Sequence, residues 1–133
     1  MTAAVQTYDT DDDLWPFAAS IRPQCYTYLV SWPGWPRDVV KVGISERPAR
    51  WRRFISTGAR VDLIVRADTT TALEIEARTR DSLRGIGIPA FNQRDEAADY
   101  LPNGGGYTDC FMADRREAIA SMKEVLLELV QGG

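Results

Sequence analysis

The sequence predicts an α+β fold: a small, mostly antiparallel three-stranded sheet flanked by helices, with a C-terminal helix. Three observations predict it. Segments with period-2 alternation at residues 24–31, 39–44 and 60–67 read as strands. Apolar stripes of helical period follow residues 45, 71 and 114. Turn and capping residues punctuate these segments in the order β-β-α-β-α, then a further candidate strand and a last helix.

Length and composition bound the class. The chain has 133 residues, 44% hydrophobic and 26% charged, which suits one domain with a real core. Residues 1–20 read as an irregular acidic arm docked by Trp15, Pro16 and Phe17, with Asp11, Asp12 and Asp13 capping a turn or solvated. Residues 21–131 read as a single domain. No apolar run approaches the roughly 20 residues that cross a bilayer. The acidic N-terminus lacks the basic flank and apolar core of a signal peptide. The expectation is a soluble, cytoplasmic protein with no membrane partner.

Absent residue types exclude chemistry. The chain contains no histidine, which removes Ser-His-Asp and Cys-His catalysis and any histidine-bearing zinc site. A general base must then be Tyr, Lys, Asp, Glu or Cys. Cys25 and Cys110 are too few for a disulfide network and read as small buried hydrophobes. Net charge is −3, yet residues 37–60 hold seven Lys/Arg against Asp38 and Glu46, while residues 1–20 hold four Asp and no base. This asymmetry reads as one anion-facing surface, or as a solvated helix face.

The elements follow in order. Across residues 24–31, Tyr26, Tyr28 and Val30 alternate with Cys25, Thr27 and Leu29. Residues 31–38 carry two Pro and one Gly, so they turn the chain into the second strand, with Trp32 and Trp35 covering the sheet end. Ser45 reads as the cap of the next helix, with Pro48 in its first turn. Trp51, Phe54 and Ile55 form its inward stripe; Arg47, Arg50 and Arg53 line one flank. Val61, Leu63 and Val65 alternate along the third strand. Thr71 and Glu74 form a capping box that starts a helix at Ala72. Its inward stripe is Ala72, Ile75, Thr79, Leu83 and Ile86, and Gly85, Gly87 and Pro89 end it. Residues 90–92 read as a short extended piece, residues 103–106 as a flexible glycine loop, and residues 109–112 as a candidate strand. A second capping box, Asp114 with Glu117, opens the last helix, whose stripe is Ala118, Met122, Val125, Leu126 and Leu129.

Taken by themselves, the polar residues have ordinary readings. Tyr28 is a half-buried strand aromatic, Lys41 a strand lysine facing solvent, and Arg50 one of several surface arginines. Gly43 marks a bulge or a close approach of the backbone. Glu74 is explained by its cap and by Arg78 at i+4; Glu76, directly after Ile75, is turned partly toward the sheet, with Arg80 as its available partner.

Together the pieces resemble the GIY-YIG nuclease superfamily, of the phage and restriction-associated branch with divergent motifs. Tyr26-Thr27-Tyr28 stands where that family has GIY, and Lys41-Val42-Gly43 stands at YIG with lysine replacing the second tyrosine. Arg50-Trp51-Arg52-Arg53-Phe54 resembles the arginine-bearing helix, with Phe54 where some members have histidine. Ala72-Leu73-Glu74-Ile75-Glu76 resembles the piece holding the metal-binding glutamate. Ala90-Phe91-Asn92 and Tyr107–Phe111 resemble two endings found in the superfamily.

The resemblance implies an endonuclease hydrolysing DNA phosphodiesters. Tyr28 would activate water, Lys41 would sit beside it, Arg50 would hold the phosphate, and Glu76 would hold Mg²⁺ (or Mn²⁺). Tyr26, Arg47, Arg53 and Asn92 would contact substrate. The alternative is a catalytically inactive member of the fold that binds nucleic acid or a protein. No separate DNA-reading module is recognisable, so a homodimer or a partner protein would supply specificity; the last helix covers the sheet or serves such a dimer.

Overall fold

Alternating side chains on paired strands give a sheet two buried faces when helices cover both sides. The computed structural model describes residues 6–8, 25–34, 36–47, 49–101 and 104–132, with backbone alone at 6–8, 49–50 and 130–132. Its strands are β1 (Gln6–Tyr8), β2 (Cys25–Trp32), β3 (Asp38–Ser45), β4 (Arg60–Ala67), β5 (Ile88–Pro89) and β6 (Cys110–Ala113). Its helices are α1 (Ala49–Ile55), α2 (Thr69–Ile86) and α3 (Arg115–Gly132). The strands form one sheet in the order β1-β4-β2-β3-β6-β5, every pair antiparallel.

The α+β class and the three central strands follow the sequence pattern; the strand count does not. The sheet has six strands rather than three. Two of the added strands, β1 and β5, hold three and two residues, too few to show a period. Their pairing is decided by the edges offered by β4 and β6. The strand at Gln6–Tyr8 corrects the irregular reading of those residues; Asp11, Asp12, Asp13, Trp15, Pro16 and Phe17 lie outside the described residues. The extended piece expected at 90–92 falls two residues earlier, at Ile88–Pro89, because Met112 and Phe111 pair there. The candidate strand at 109–112 begins one residue later, after a 3-10 turn at Tyr107–Asp109.

The two sheet faces have separate cores. Tyr26, Tyr28, Val30 and Trp32 of β2 pack with Trp51 and Phe54 of α1 and with Ala97 and Leu101. Leu29, Val40, Val42 and Leu63 pack on the other face with Ile75 and Leu83 of α2 and Ala118, Met122 and Leu126 of α3. Thr27 on that second face donates to the Ala72 carbonyl at 2.8 Å, tying β2 to the start of α2. Trp32 closes the first core as expected, its Nε1 donating to Thr57 Oγ1 at 2.9 Å; Trp35 lies outside the described residues. Ile55, expected on the inward stripe, is exposed: α1 stops there, and Trp51 and Phe54 fill its contact with the sheet.

Caps also depart from the pattern in instructive ways. Helix α2 starts at Thr69 rather than Ala72, because Asp68 supplies the cap: its carboxylate accepts from Thr71 N at 2.9 Å and Thr71 Oγ1 at 2.8 Å. Glu74 is left to pair with Arg78 at 2.9 Å. Ser45 does not cap α1. Its hydroxyl accepts from Arg47 N at 3.0 Å and donates to Arg47 O at 2.8 Å, a local turn before the helix; Pro48 lies outside the described residues. Asp114 caps α3 as expected, accepting from Arg116 N at 2.8 Å and Glu117 N at 3.2 Å. At the other end of the sheet, Arg115 Nε donates to Asp62 Oδ1 at 2.6 Å, and the Asp62 side chain is 0% exposed.

Candidate functional site

Antiparallel pairing brings the distant motif residues together. Tyr28 on β2 faces Gly43 on β3 across the ladder, and Lys41 on β3 faces Cys110 on β6. Helix α2 lays Glu76 at the same end of the sheet. The result is a cleft of about 350 Å³ lined by Tyr28, Lys41, Gly43, Ile44, Arg53, Phe54, Glu76, Gly105, Gly106 and Asp109.

Tyr28 is 1% exposed, held between Trp51 and Phe54 with ring centroids 5.9 and 5.8 Å away. Gly43 makes that position available: a Cβ at Gly43 would overlap Tyr28 Cζ and Oη. The close approach read from the sequence is therefore a tyrosine ring lying on the neighbouring strand. Replacing Gly43 with alanine is expected to lower stability by about 1–3 kcal/mol through overpacking. A denaturant double-mutant cycle with Tyr28→Leu checks this; the two substitutions should couple by about 1 kcal/mol, and strict additivity contradicts the overlap.

Lys41 does not face solvent. It is 5% exposed, and its Nζ stands 5.9 Å from the Tyr28 ring centroid and 6.0 Å from that of Phe54, at the edge of cation–π range. Gly106 covers it, with φ +82°; a Cβ there would come within 2.9 Å of Lys41 Nζ. The positive φ calls for glycine at this point.

Glu76 lies on the carboxylate side of the cleft, its side chain 13% exposed. Burial pushes its carboxyl above the ordinary glutamate value; Arg80 pulls it back, Asp109 raises it further and Lys41 lowers it. Arg80 Nη1 lies 3.9 Å from Glu76 Oε1 and 3.2 Å from Asp109 Oδ1. Among the described residues, no three His, Cys, Asp or Glu side chains gather into a metal-holding group. A partly desolvated carboxylate facing a cleft, with Arg80 held at 3.9 Å, still fits Mg²⁺ or Mn²⁺. Such ions are commonly held by one or two carboxylates and take water and phosphate oxygens at the remaining positions.

The other expected site residues are spread out. Arg53 lines the cleft. Arg50 lies on α1, and its side chain is outside the described part of the molecule. Arg47 is exposed in the turn before α1. Tyr26 is buried against Trp51, ring centroids 5.3 Å apart, and does not line the cleft. Asn92 is exposed, its backbone N–H donating to Glu96 Oε1 at 2.7 Å, and it also does not line the cleft. The sequence reading missed Asp109, Gly105 and Gly106 as site residues. The acidic residue two before Phe111 and the glycine run were visible, but nothing local ties them to Lys41; the β3–β6 pairing does.

Cys110, beside Lys41, is buried, and burial pushes its thiol up to about 12, with Lys41 lowering and Asp109 raising it. Thiolate, the reactive form, is then scarce at ordinary pH. Folded protein at pH 8 is expected to leave Cys110 unmodified by iodoacetamide, and peptide mass analysis should find it alkylated only after denaturation.

No family model, curated protein or solved structure matches the chain significantly. No helix among the described residues is long and apolar enough to cross a membrane.

Proposed function

We propose that the chain is a metal-dependent endonuclease of the GIY-YIG type that hydrolyses phosphodiester bonds in DNA. The observation that carries this reading is the convergence of Tyr28, Lys41 and Glu76, from two strands and a helix, on one cleft. These are the residues the motif resemblance assigns to base, neighbouring cation and metal ligand.

In this reading Tyr28, as the phenolate, takes the proton of an attacking water and becomes the neutral phenol, with the Lys41 ammonium beside the ring. Arg50 holds the scissile phosphate through its two-pronged guanidinium, a geometry that lysine does not offer. Arg47 and Arg53 contact flanking phosphates, Arg53 from the cleft wall. Glu76 holds Mg²⁺ or Mn²⁺. A divalent ion held there would supply Lewis-acid polarisation of the phosphate and neutralise charge on the leaving oxygen.

The test is supercoiled plasmid incubated with the purified protein, with Mg²⁺ and with chelator. Nicking or linearisation that needs the metal supports the reading. DNA retention that weakens with salt, without cleavage under any metal, selects the non-catalytic binding module instead. Absence of both cleavage and low-salt binding sinks any nucleic-acid role.

A further inference from the structure

Helix α2 carries the same pair twice. Glu74 and Arg78 stand four residues apart, as do Glu76 and Arg80, with the glutamate N-terminal in each case. That spacing and order favour an ion pair along the helix. Glu74 and Arg78 close to 2.9 Å; Glu76 and Arg80 stay at 3.9 Å. A second carboxylate stands beside each arginine. Glu128 lies 3.7 Å from Arg78, too far to draw it away. Asp109 lies 3.2 Å from Arg80 Nη1 and accepts a hydrogen bond from it.

Asp109 is well fixed for this task. It ends the 3-10 turn after the glycine wall, and its backbone N–H donates to the Gly106 carbonyl at 3.1 Å. The next residue, Cys110, is paired across the sheet with Lys41. The carboxylate that engages Arg80 is thus anchored to the same wall that covers Lys41.

We propose that Asp109 is a positioning residue that retains the Arg80 guanidinium, keeping it from closing on Glu76 and leaving that carboxylate open to a divalent cation. The inference rests on reading Glu76 as the cation's ligand. Asp109 acts here through Arg80 and not by binding the ion.

Mn²⁺ affinity, read from the EPR signal of free Mn²⁺ during titration of the full chain, separates the alternatives. Wild type is expected to bind Mn²⁺ in a way that Glu76→Gln abolishes. Asp109→Asn should weaken binding by about tenfold, the low end for an outer-shell partner of a metal ligand. Adding Arg80→Gln to Asp109→Asn should bring the affinity back to near that of wild type, a rescue that a purely structural defect would not show. Thermal melts of each variant identify any loss of fold, and the double variant carries the test if Asp109→Asn alone is destabilised. If Asp109→Asn binds like wild type, or the double variant binds as weakly as Asp109→Asn, the positioning role is overturned. If wild type and Glu76→Gln bind alike, the reading of Glu76 itself fails, and the role of Asp109 with it.

Discussion

Replacing Glu76 with glutamine is expected to lower metal-dependent DNA cleavage by about a thousandfold, corresponding to about 4 kcal/mol of transition-state stabilisation. Glutamine keeps the shape of the side chain and removes its charge. Arg80 keeps its stronger partner, Asp109, so the fold should survive. Initial rates on plasmid, with saturating metal, give the ratio; a loss below tenfold would contradict the assignment. The wild type also predicts a pH dependence. Burial raises the folded-state pKa of Glu76 above 4.5, so its neutral form persists to higher pH than in the unfolded chain. The sign for stability follows: ionising Glu76 in the fold costs stability as pH rises between the unfolded and the raised folded value. The sign for function is opposite. A cation needs the carboxylate, so Mn²⁺ binding should rise with pH through a midpoint above that of an ordinary glutamate.

The largest stability effect is expected at the far end of the sheet. Arg115→Met should cost about 3 kcal/mol, the lower end for breaking a buried ion pair, because the arginine is itself 37% exposed. Asp62 is the reason. Its side chain is fully buried, its Oδ1 accepts from Arg115 at 2.6 Å, and its Oδ2 is buried with no hydrogen-bond partner among the described residues. Removing the arginine leaves a buried carboxylate without its ion-pair partner. Denaturant melts should show the loss as a shift in midpoint at unchanged slope. Combining Arg115→Met with Asp62→Leu should recover most of it, since an apolar pair of similar volume often replaces a buried ion pair without loss. A loss below about 1 kcal/mol for Arg115→Met would show that water reaches Asp62.

These two sites show how unevenly the sequence reveals its own structure. The alternation of Tyr26, Tyr28 and Val30 with Thr27 and Leu29 reads directly as a strand with two distinct faces, because side-chain direction in a strand depends only on position parity; that both faces are buried comes from the helices on either side. The stripe Ala72, Ile75, Thr79, Leu83 is equally plain for α2. Asp62, by contrast, reads as the polar member of an alternating strand. Nothing near it in sequence announces that Arg115, from the start of α3, will cover it. Lys41 is the same case on β3: alone it looks like a solvent-facing lysine, and only β6 and Gly106 make it a buried one.

The sequence by itself determined the α+β class, the three central strands and the inward stripes of α2 and α3, and it marked Tyr28, Lys41 and Glu76 as candidate site residues. Each depends on local period, local capping or residue type, which a short window contains. Tertiary structure alone decided the strand at Gln6–Tyr8, the pairing of Ile88–Pro89 with the strand at Cys110–Ala113, the burial of Lys41, the displacement of Tyr26 and Asn92 from the cleft, and the entry of Asp109, Gly105 and Gly106 into it. Those outcomes depend on which strand edges meet. Pairing is a long-range choice, set by the total burial and hydrogen bonding of the whole sheet and not by any one segment's own preference.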